Sequence, residues 1–159
     1  MSNNGFQTPV WGPPAWFFLH TITFNFPLKP TKQDKKNYFT LFKNLEHTLP
    51  CRACRESYSY FLNNGNTRLT MKILNSRYTL SFWLYRLHNK INKKIGKPIT
   101  VTYKYVQDFY EKVRAKCNKN THTGCTQPTQ GIKKRAFVTI VPRNCNKKHS
   151  IQLHSKCKK

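Results

Sequence analysis

The sequence predicts an all-α protein of five helices followed by a basic extension, on three observations. Apolar residues recur every three or four positions in successive stretches before residue 96. Proline and glycine punctuate the ends of those stretches, and the helical period stops at Lys116.

The first helix is expected over residues 13–27, where Pro13 and Pro14 suit a helix start and Trp16, Leu19, His20 and Phe24 share a face. The second covers 32–49, with Tyr38, Leu41, Phe42, Leu45 and Leu49 in register and Pro50 ending the pattern. Proline also tolerates a first turn, so Pro50 can open the third helix, CRACRESYSYFLNNG, which stops at Asn64-Gly65. The fourth, residues 78–95, has Leu80, Leu84, Leu87, Ile91 and Ile95 on one face and is closed by Gly96 and Pro98. Residues 100–116 alternate at Val101, Tyr103 and Tyr105 as a strand would, yet Tyr105, Phe109 and Val113 fit a helix. Four preceding helices favour the helix. Residues 117–159 carry no period apart from a short strand signal at 136–141, and read as a mostly disordered tail.

The chain has 159 residues, enough for one core that does not depend on disulfides. Its 29 Lys+Arg against 5 Asp+Glu give a formal charge of +24, a field that attracts nucleic acid, anionic surfaces or phosphate-bearing ligands. The last 43 residues hold 10 of those basic residues and no acid. No apolar run approaches the roughly 20 residues a membrane span needs, and the opening MSNNGFQTPVWGPP lacks the basic and apolar order of an export signal. A soluble, unprocessed chain in a reducing compartment is expected. There a Cys-x-x-Cys is more often catalytic or metal-binding than a structural staple.

The chemistry centres on LPCRACRESY, the only closely spaced cysteine pair. In a helix's first turn, Cys51 and Cys54 feel the positive end of the helix dipole, which favours thiolate, and Arg52 and Arg55 push the same way. Thiolate is the species that attacks a disulfide. It is equally the species that binds zinc, but a zinc site needs two further ligands. On the fourth helix His88 and Asn92 lie four apart at the core edge, and on the first His20 follows Trp16 by four. With Lys94 and Lys97 nearby, flat aromatic faces, amides and cations converge on a planar ligand that carries phosphates.

WGPPAWFFLH (11–20), PCRAC (50–54) and WLYRLHNKINKKIGKP (83–98) together resemble the Erv/ALR family of FAD-linked sulfhydryl oxidases, in the family's order and spacing. LPCRACRESY is most similar to the branch encoded by large nucleocytoplasmic DNA viruses. The resemblance implies a four-helix bundle binding FAD plus a short fifth helix over residues 1–116, usually a homodimer. It places Thr8, Trp11, Gly12, Trp16 and His20 on one side of the cofactor, and His88, Asn89, Asn92, Lys94, Lys97 and Phe109 around its ring, ribose and pyrophosphate. It implies that Cys51 is attacked by a substrate thiolate while Cys54 lies nearest the flavin, and that electrons pass from a protein dithiol to O2, giving H2O2. A viral member would work in the host cytoplasm or the virion.

Several departures from the family pattern stand out. Tyr85 and Thr102 occupy the positions of a structural disulfide common in the family, so that bridge, typically about 2–4 kcal/mol, is missing. Leu49 replaces an aromatic before PCxxC, and Phe109 replaces a tryptophan that stacks on adenine. No cysteine precedes Cys51, so a shuttle disulfide must come from Cys117, Cys125, Cys145 and Cys157 or from a partner thiol oxidoreductase. The same four cysteines with His122, His149 and His154 also suit zinc by ligand type, or are free thiols. The basic run at Lys133, Lys134 and Arg135 reads either as a nucleic-acid contact or as a solvated tail. The rival from another class, a basic zinc or nucleic-acid binding protein, leaves the 11–20 and 83–98 motifs unexplained. A thioredoxin-like reductase would need a strand before its Cys-x-x-Cys.

Overall fold

The computed structural model describes residues 5–115. Those residues form five α-helices: α1 (Thr8–Asn25), α2 (Lys32–Thr48), α3 (Arg52–Asn63), α4 (Arg77–Lys94) and α5 (Tyr103–Lys112). Two short 3-10 turns, Gly65–Thr67 and Met71–Asn75, join α3 to α4. Among the described residues the extended backbone amounts to one isolated antiparallel bridge between Gly5 and Cys51. The tail, its strand signal at 136–141 and Cys117, Cys125, Cys145 and Cys157 lie outside the described residues.

The four longer helices pack as a bundle in which α1 lies on α4, α2 on α3, and α3 on α4, with α5 laid against α1. Thr31 and Asp34 make a reciprocal capping box that starts α2, and Ser76 with Thr79 does the same for α4, satisfying N–H groups that a helix end leaves open. The core is built from Phe26, Phe42, Tyr58, Leu62, Leu74, Leu80, Trp83, Leu84 and Leu87. Trp83 meets Phe42 edge to face and donates its indole N–H to the Thr67 carbonyl at 2.8 Å. This fixes the first 3-10 turn to α4.

α1 begins well before the expected Pro13. Pro9 occupies its first turn, and Pro13 and Pro14 lie within the helix. Pro9, Val10, Pro13 and Pro14 are all exposed, so the carbonyls that lose a helical N–H partner lie toward water. The fifth segment is a helix as expected, but a shorter one, because Thr102 caps it by accepting from the Tyr105 N–H at 3.3 Å.

At the place where the resemblance implies a structural disulfide, hydroxyl and aromatic contacts join the elements. Where it would join α4 to the segment before α5, Tyr85 donates its hydroxyl to the Val101 carbonyl at 2.9 Å. Tyr103 stands 2.8 Å from the Ser81 hydroxyl and packs its ring edge-on against Tyr78, Phe82 and Tyr85. Aromatic contacts of this kind contribute about 0.5–1.5 kcal/mol each beyond burial, so three of them match the order of one disulfide. At the far end of α1, the buried Arg77 donates to the Phe26 carbonyl at 2.6 Å, while Arg114 holds the Phe24 carbonyl and Glu111. Burial, then the neighbouring Arg114, lowers the Arg77 pKa to about 10.

Candidate active site

Cys51 and Cys54 form a disulfide, with Cα atoms 5.1 Å apart. Cys51 is the N-cap of α3 and Cys54 its third residue, so the pair straddles the helix start instead of lying wholly inside the first turn. The Cys54 N–H donates to Cys51 Sγ at 3.3 Å. Cys51 Sγ therefore takes the N-cap acceptor place at the start of α3, where negative charge is stabilised. Of the two arginines, Arg52 pairs with Glu56 at 2.9 Å on the solvent side, and Arg55 donates to the Leu49 carbonyl at 2.6 Å, bracing the turn that delivers Cys51. The helix terminus, more than the arginines, sets the field at the sulfurs.

α3 is held in place through α2. The Tyr58 hydroxyl donates to the Phe42 carbonyl at 2.8 Å, and Ser59 and Lys43 both donate to the Glu46 carboxylate at 2.9 Å. The Lys43 bond keeps the Glu46 carboxyl below its usual pKa. Lys94, at the end of α4, donates to Ser57 on α3 at 2.6 Å, one helical turn beyond Cys54. Thr8, in the first turn of α1, places its hydroxyl 3.8 Å from Cys54 Sγ.

Between α1 and α4 an aromatic and imidazole cluster forms. Trp16 and His88 stack with centroids 3.9 Å apart and planes within 5°. His20 Nε2 lies 3.2 Å from His88 Nδ1, and His20 also stacks on Tyr110 of α5 at 5.5 Å. Phe109 joins from α5, edge-on to Phe17 and to Tyr110. Gly12 is buried one turn before Trp16, and an added Cβ there would rest 3.6 Å from the Thr8 methyl. Asn89 and Asn92 are half-buried on α4, and the Asn92 carbonyl accepts from the backbone N–H of Lys97, which turns the Gly96-Lys97 corner back over the helix end.

Trp11 does not join this cluster. It turns to the opposite side, donates its indole N–H to the Phe6 carbonyl at 3.1 Å, and lines a groove of about 390 Å³ with Phe6, Gln7, Val10 and Pro50. The five-residue step along α1 sends the Trp11 and Trp16 rings to different faces.

The cluster is poised for a ligand. His20 is only 4% exposed, and its Nδ1 has no hydrogen-bond partner among the described residues. Such an atom costs about 1–3 kcal/mol when left unpaired. A flat heteroaromatic group offers that partner and a face for the rings of this cluster, while Lys94 and Lys97 supply positive charge for phosphates. The donor set fits FAD.

Burial, reinforced by His88, lowers the His20 pKa to about 3. Burial and then Lys97 lower that of His88 to about 4. Both imidazoles are thus neutral in the fold but ionise near 6.5 in the unfolded chain. From about pH 6.5 down to 3 the unfolded chain binds more protons, so stability is fully present above 6.5 and is lost on acidification. Thermal melts followed by circular dichroism should show the midpoint falling steadily between pH 7 and 4. In His20→Gln the fall over the same interval should be shallower, and an equal slope would refute the assignment.

The fold and the sulfur pair define a class: a small helical bundle that presents a disulfide at a helix start and carries an aromatic and imidazole cluster between α1 and α4. The chain belongs to the Erv1 / Alr family, whose model matches residues 13–130. It is 34% identical over 112 residues to a probable FAD-linked sulfhydryl oxidase of Acanthamoeba polyphaga mimivirus, covering 70% of this chain and 76% of that one. It is 29% identical over 102 residues to the FAD-linked sulfhydryl oxidase of African swine fever virus, covering 64% and 80%. The match to ERV1 of Arabidopsis thaliana, 34% identical over 54% of this chain, takes in 42% of that protein, so the chain spans under half the length of that relative. Among solved structures, the FAD-binding domain of Erv1 from Saccharomyces cerevisiae superposes with a TM-score of 0.59 at 24% identity, covering 66% of this chain and 94% of the domain. The yeast Erv1 core gives a TM-score of 0.58 at 23% identity, covering 69% and 88%.

Proposed function

We propose that this protein is an FAD-linked sulfhydryl oxidase that makes disulfides in protein thiols. The observation that carries the reading is the Cys51–Cys54 disulfide at the start of α3, with Thr8 of α1 at Cys54 and the cluster of Trp16, His20 and His88 further along α1, where it packs on α4. Family membership and the names of its viral relatives support it.

The chain's own residues divide the work. Cys51 receives the substrate thiolate, and Cys54 leaves as a thiolate beside the Thr8 hydroxyl. Trp16, His20, His88 and Tyr110 give faces and a free ring nitrogen to the cofactor's flat parts, with Gly12, Asn89, Asn92 and Phe109 around them. Lys94 and Lys97 meet its phosphates. When bound, FAD supplies a two-electron acceptor for the dithiol and passes the electrons to O2, giving H2O2. Neutral, each imidazole keeps one ring nitrogen as an acceptor and one as a donor near neutral pH, and one of the two donates to the other.

Protein dithiols are the substrates, and a homodimer is the working form. No helix among the described residues is long and apolar enough to cross a membrane. Its viral relatives point to a host-cytoplasmic or virion setting, and the +24 charge favours acidic or nucleic-acid partners. Oxygen consumption with dithiothreitol tests the reaction. One O2 consumed and one H2O2 formed per dithiol is expected, and no dithiol-dependent uptake by flavin-loaded protein would overturn it.

A further inference from the structure

Within the helices, Thr21, Thr48, Ser57 and Ser81 each donate their hydroxyl to the carbonyl four residues back, at 2.7–3.0 Å. Thr8 is the first residue of α1, with no helical turn behind it. Its hydroxyl lies 3.8 Å from Cys54 Sγ, and because a disulfide sulfur has no proton, Thr8 is the donor. The methyl group on the same carbon lies toward Gly12, where an added Cβ would stand 3.6 Å from it. A β-branched side chain has few rotamers, so a methyl placed there keeps the hydroxyl on the sulfur side.

The two sulfurs therefore meet different donors. Cys51 Sγ accepts the Cys54 N–H at the start of α3, whereas Cys54 Sγ meets a hydroxyl from the start of α1. The charged groups of the surrounding helices are engaged elsewhere: Arg52 with Glu56, Arg55 with the Leu49 carbonyl, Glu46 of α2 with Lys43, and Lys94 of α4 with Ser57. α1 carries no Lys, Arg, Asp or Glu. A disulfide sulfur is a weak acceptor and a thiolate a strong one, so the Thr8 contact strengthens when charge arrives on Cys54.

We propose that Thr8 is a catalytic residue, whose hydroxyl stabilises the charge released on Cys54 and so decides which sulfur of the pair carries it. The inference rests on the oxidase reading above. Cys51, at the start of α3, would otherwise be the better-stabilised thiolate and the better leaving group, and an incoming thiolate would be drawn to Cys54. The Thr8 hydroxyl offsets that bias. The substrate thiolate attacks Cys51 Sγ, forming a substrate–Cys51 disulfide as the Cys51–Cys54 bond breaks and the electron pair leaves on Cys54. Thr8 donates to that thiolate and keeps its proton throughout. The substrate's second thiolate then attacks its own sulfur in the mixed disulfide and releases Cys51 as a thiolate. Two electrons pass from the substrate to the cysteine pair, and the substrate leaves as a disulfide.

The test alkylates single-cysteine versions of the pair in the full chain with iodoacetamide over a range of pH, each peptide being assigned by mass spectrometry. In Cys51→Ser, the midpoint of Cys54 alkylation reports the thiolate population. Adding Thr8→Val keeps the shape and removes the O–H. It should raise that midpoint by about one pH unit, a tenfold loss of thiolate below it, as one hydrogen bond to a charged group would give. Adding Thr8→Ser instead keeps the O–H and should hold the thiolate population within about twofold. In Cys54→Ser, Thr8→Val should leave the Cys51 midpoint in place, because the backbone N–H at position 54 serves that sulfur. An unmoved Cys54 midpoint in Thr8→Val overturns the proposal. So does an equal rise at Cys51, the mark of a loosened helix start, or a serine variant that behaves as the valine one. None of these measurements uses oxygen or turnover, so failure of the oxidase reading would appear separately, as absent dithiol-dependent oxygen uptake.

Discussion

Replacing Cys54 by serine abolishes dithiol-dependent oxygen uptake, by about a thousandfold or more, while the protein remains yellow. The size follows from chemistry: without the second sulfur there is no disulfide to accept an electron pair, and a hydroxyl cannot replace it. The flavin stays because the cradle of Trp16, His20, His88 and Tyr110 is built on α1, α4 and α5, whereas Cys54 belongs to α3. Removing a link between residues three apart costs the fold about 2 kcal/mol or less, since loop closure so short constrains the unfolded chain weakly. Cys51→Ser should be equally inactive. Flavin content by absorbance and oxygen uptake by electrode check both, and a colourless Cys54→Ser would contradict the division of roles.

The second large effect falls on Trp16. Its ring lies flat on His88 at 3.9 Å and abuts the core, and His20 depends on the same wall. Trp16→Ala should weaken FAD binding by about tenfold to a hundredfold, the 1–3 kcal/mol that an aromatic face typically gives a stacked heterocycle. Trp16→Phe keeps a flat face and should recover most of the affinity. Titration of flavin-stripped protein by flavin fluorescence checks this. If alanine and phenylalanine variants bind equally well, Trp16 is a core residue with no part in the cradle.

Much of this was legible in the chain, for reasons that differ by element. α2 and α4 announce themselves because apolar stripes and their stop signals agree, and Thr31 and Ser76 cap them where the periodicity begins. The start of α1 was misplaced because Pro13-Pro14 looks like a beginning, while Pro9 in fact takes that place. The 3-10 turns between α3 and α4 have no period to detect. They exist because Leu69 and Leu74 reach the core and Trp83 grips Thr67. The convergence of His20 with His88 could be anticipated from their helical faces, but the 3.2 Å contact and the orphaned Nδ1 depend on how α1 packs on α4. The Gly5–Cys51 bridge is invisible in the sequence, since nothing local in GFQ declares a partner some 45 residues away. Only the missing Cβ of Gly5 hints at a close approach.

The visible absorption spectrum of the purified protein tests the central claim most directly. A flavin spectrum at one FAD per chain, bleached by anaerobic dithiothreitol and restored by air, is the result expected. A colourless protein that takes up no FAD when the cofactor is supplied would contradict the account.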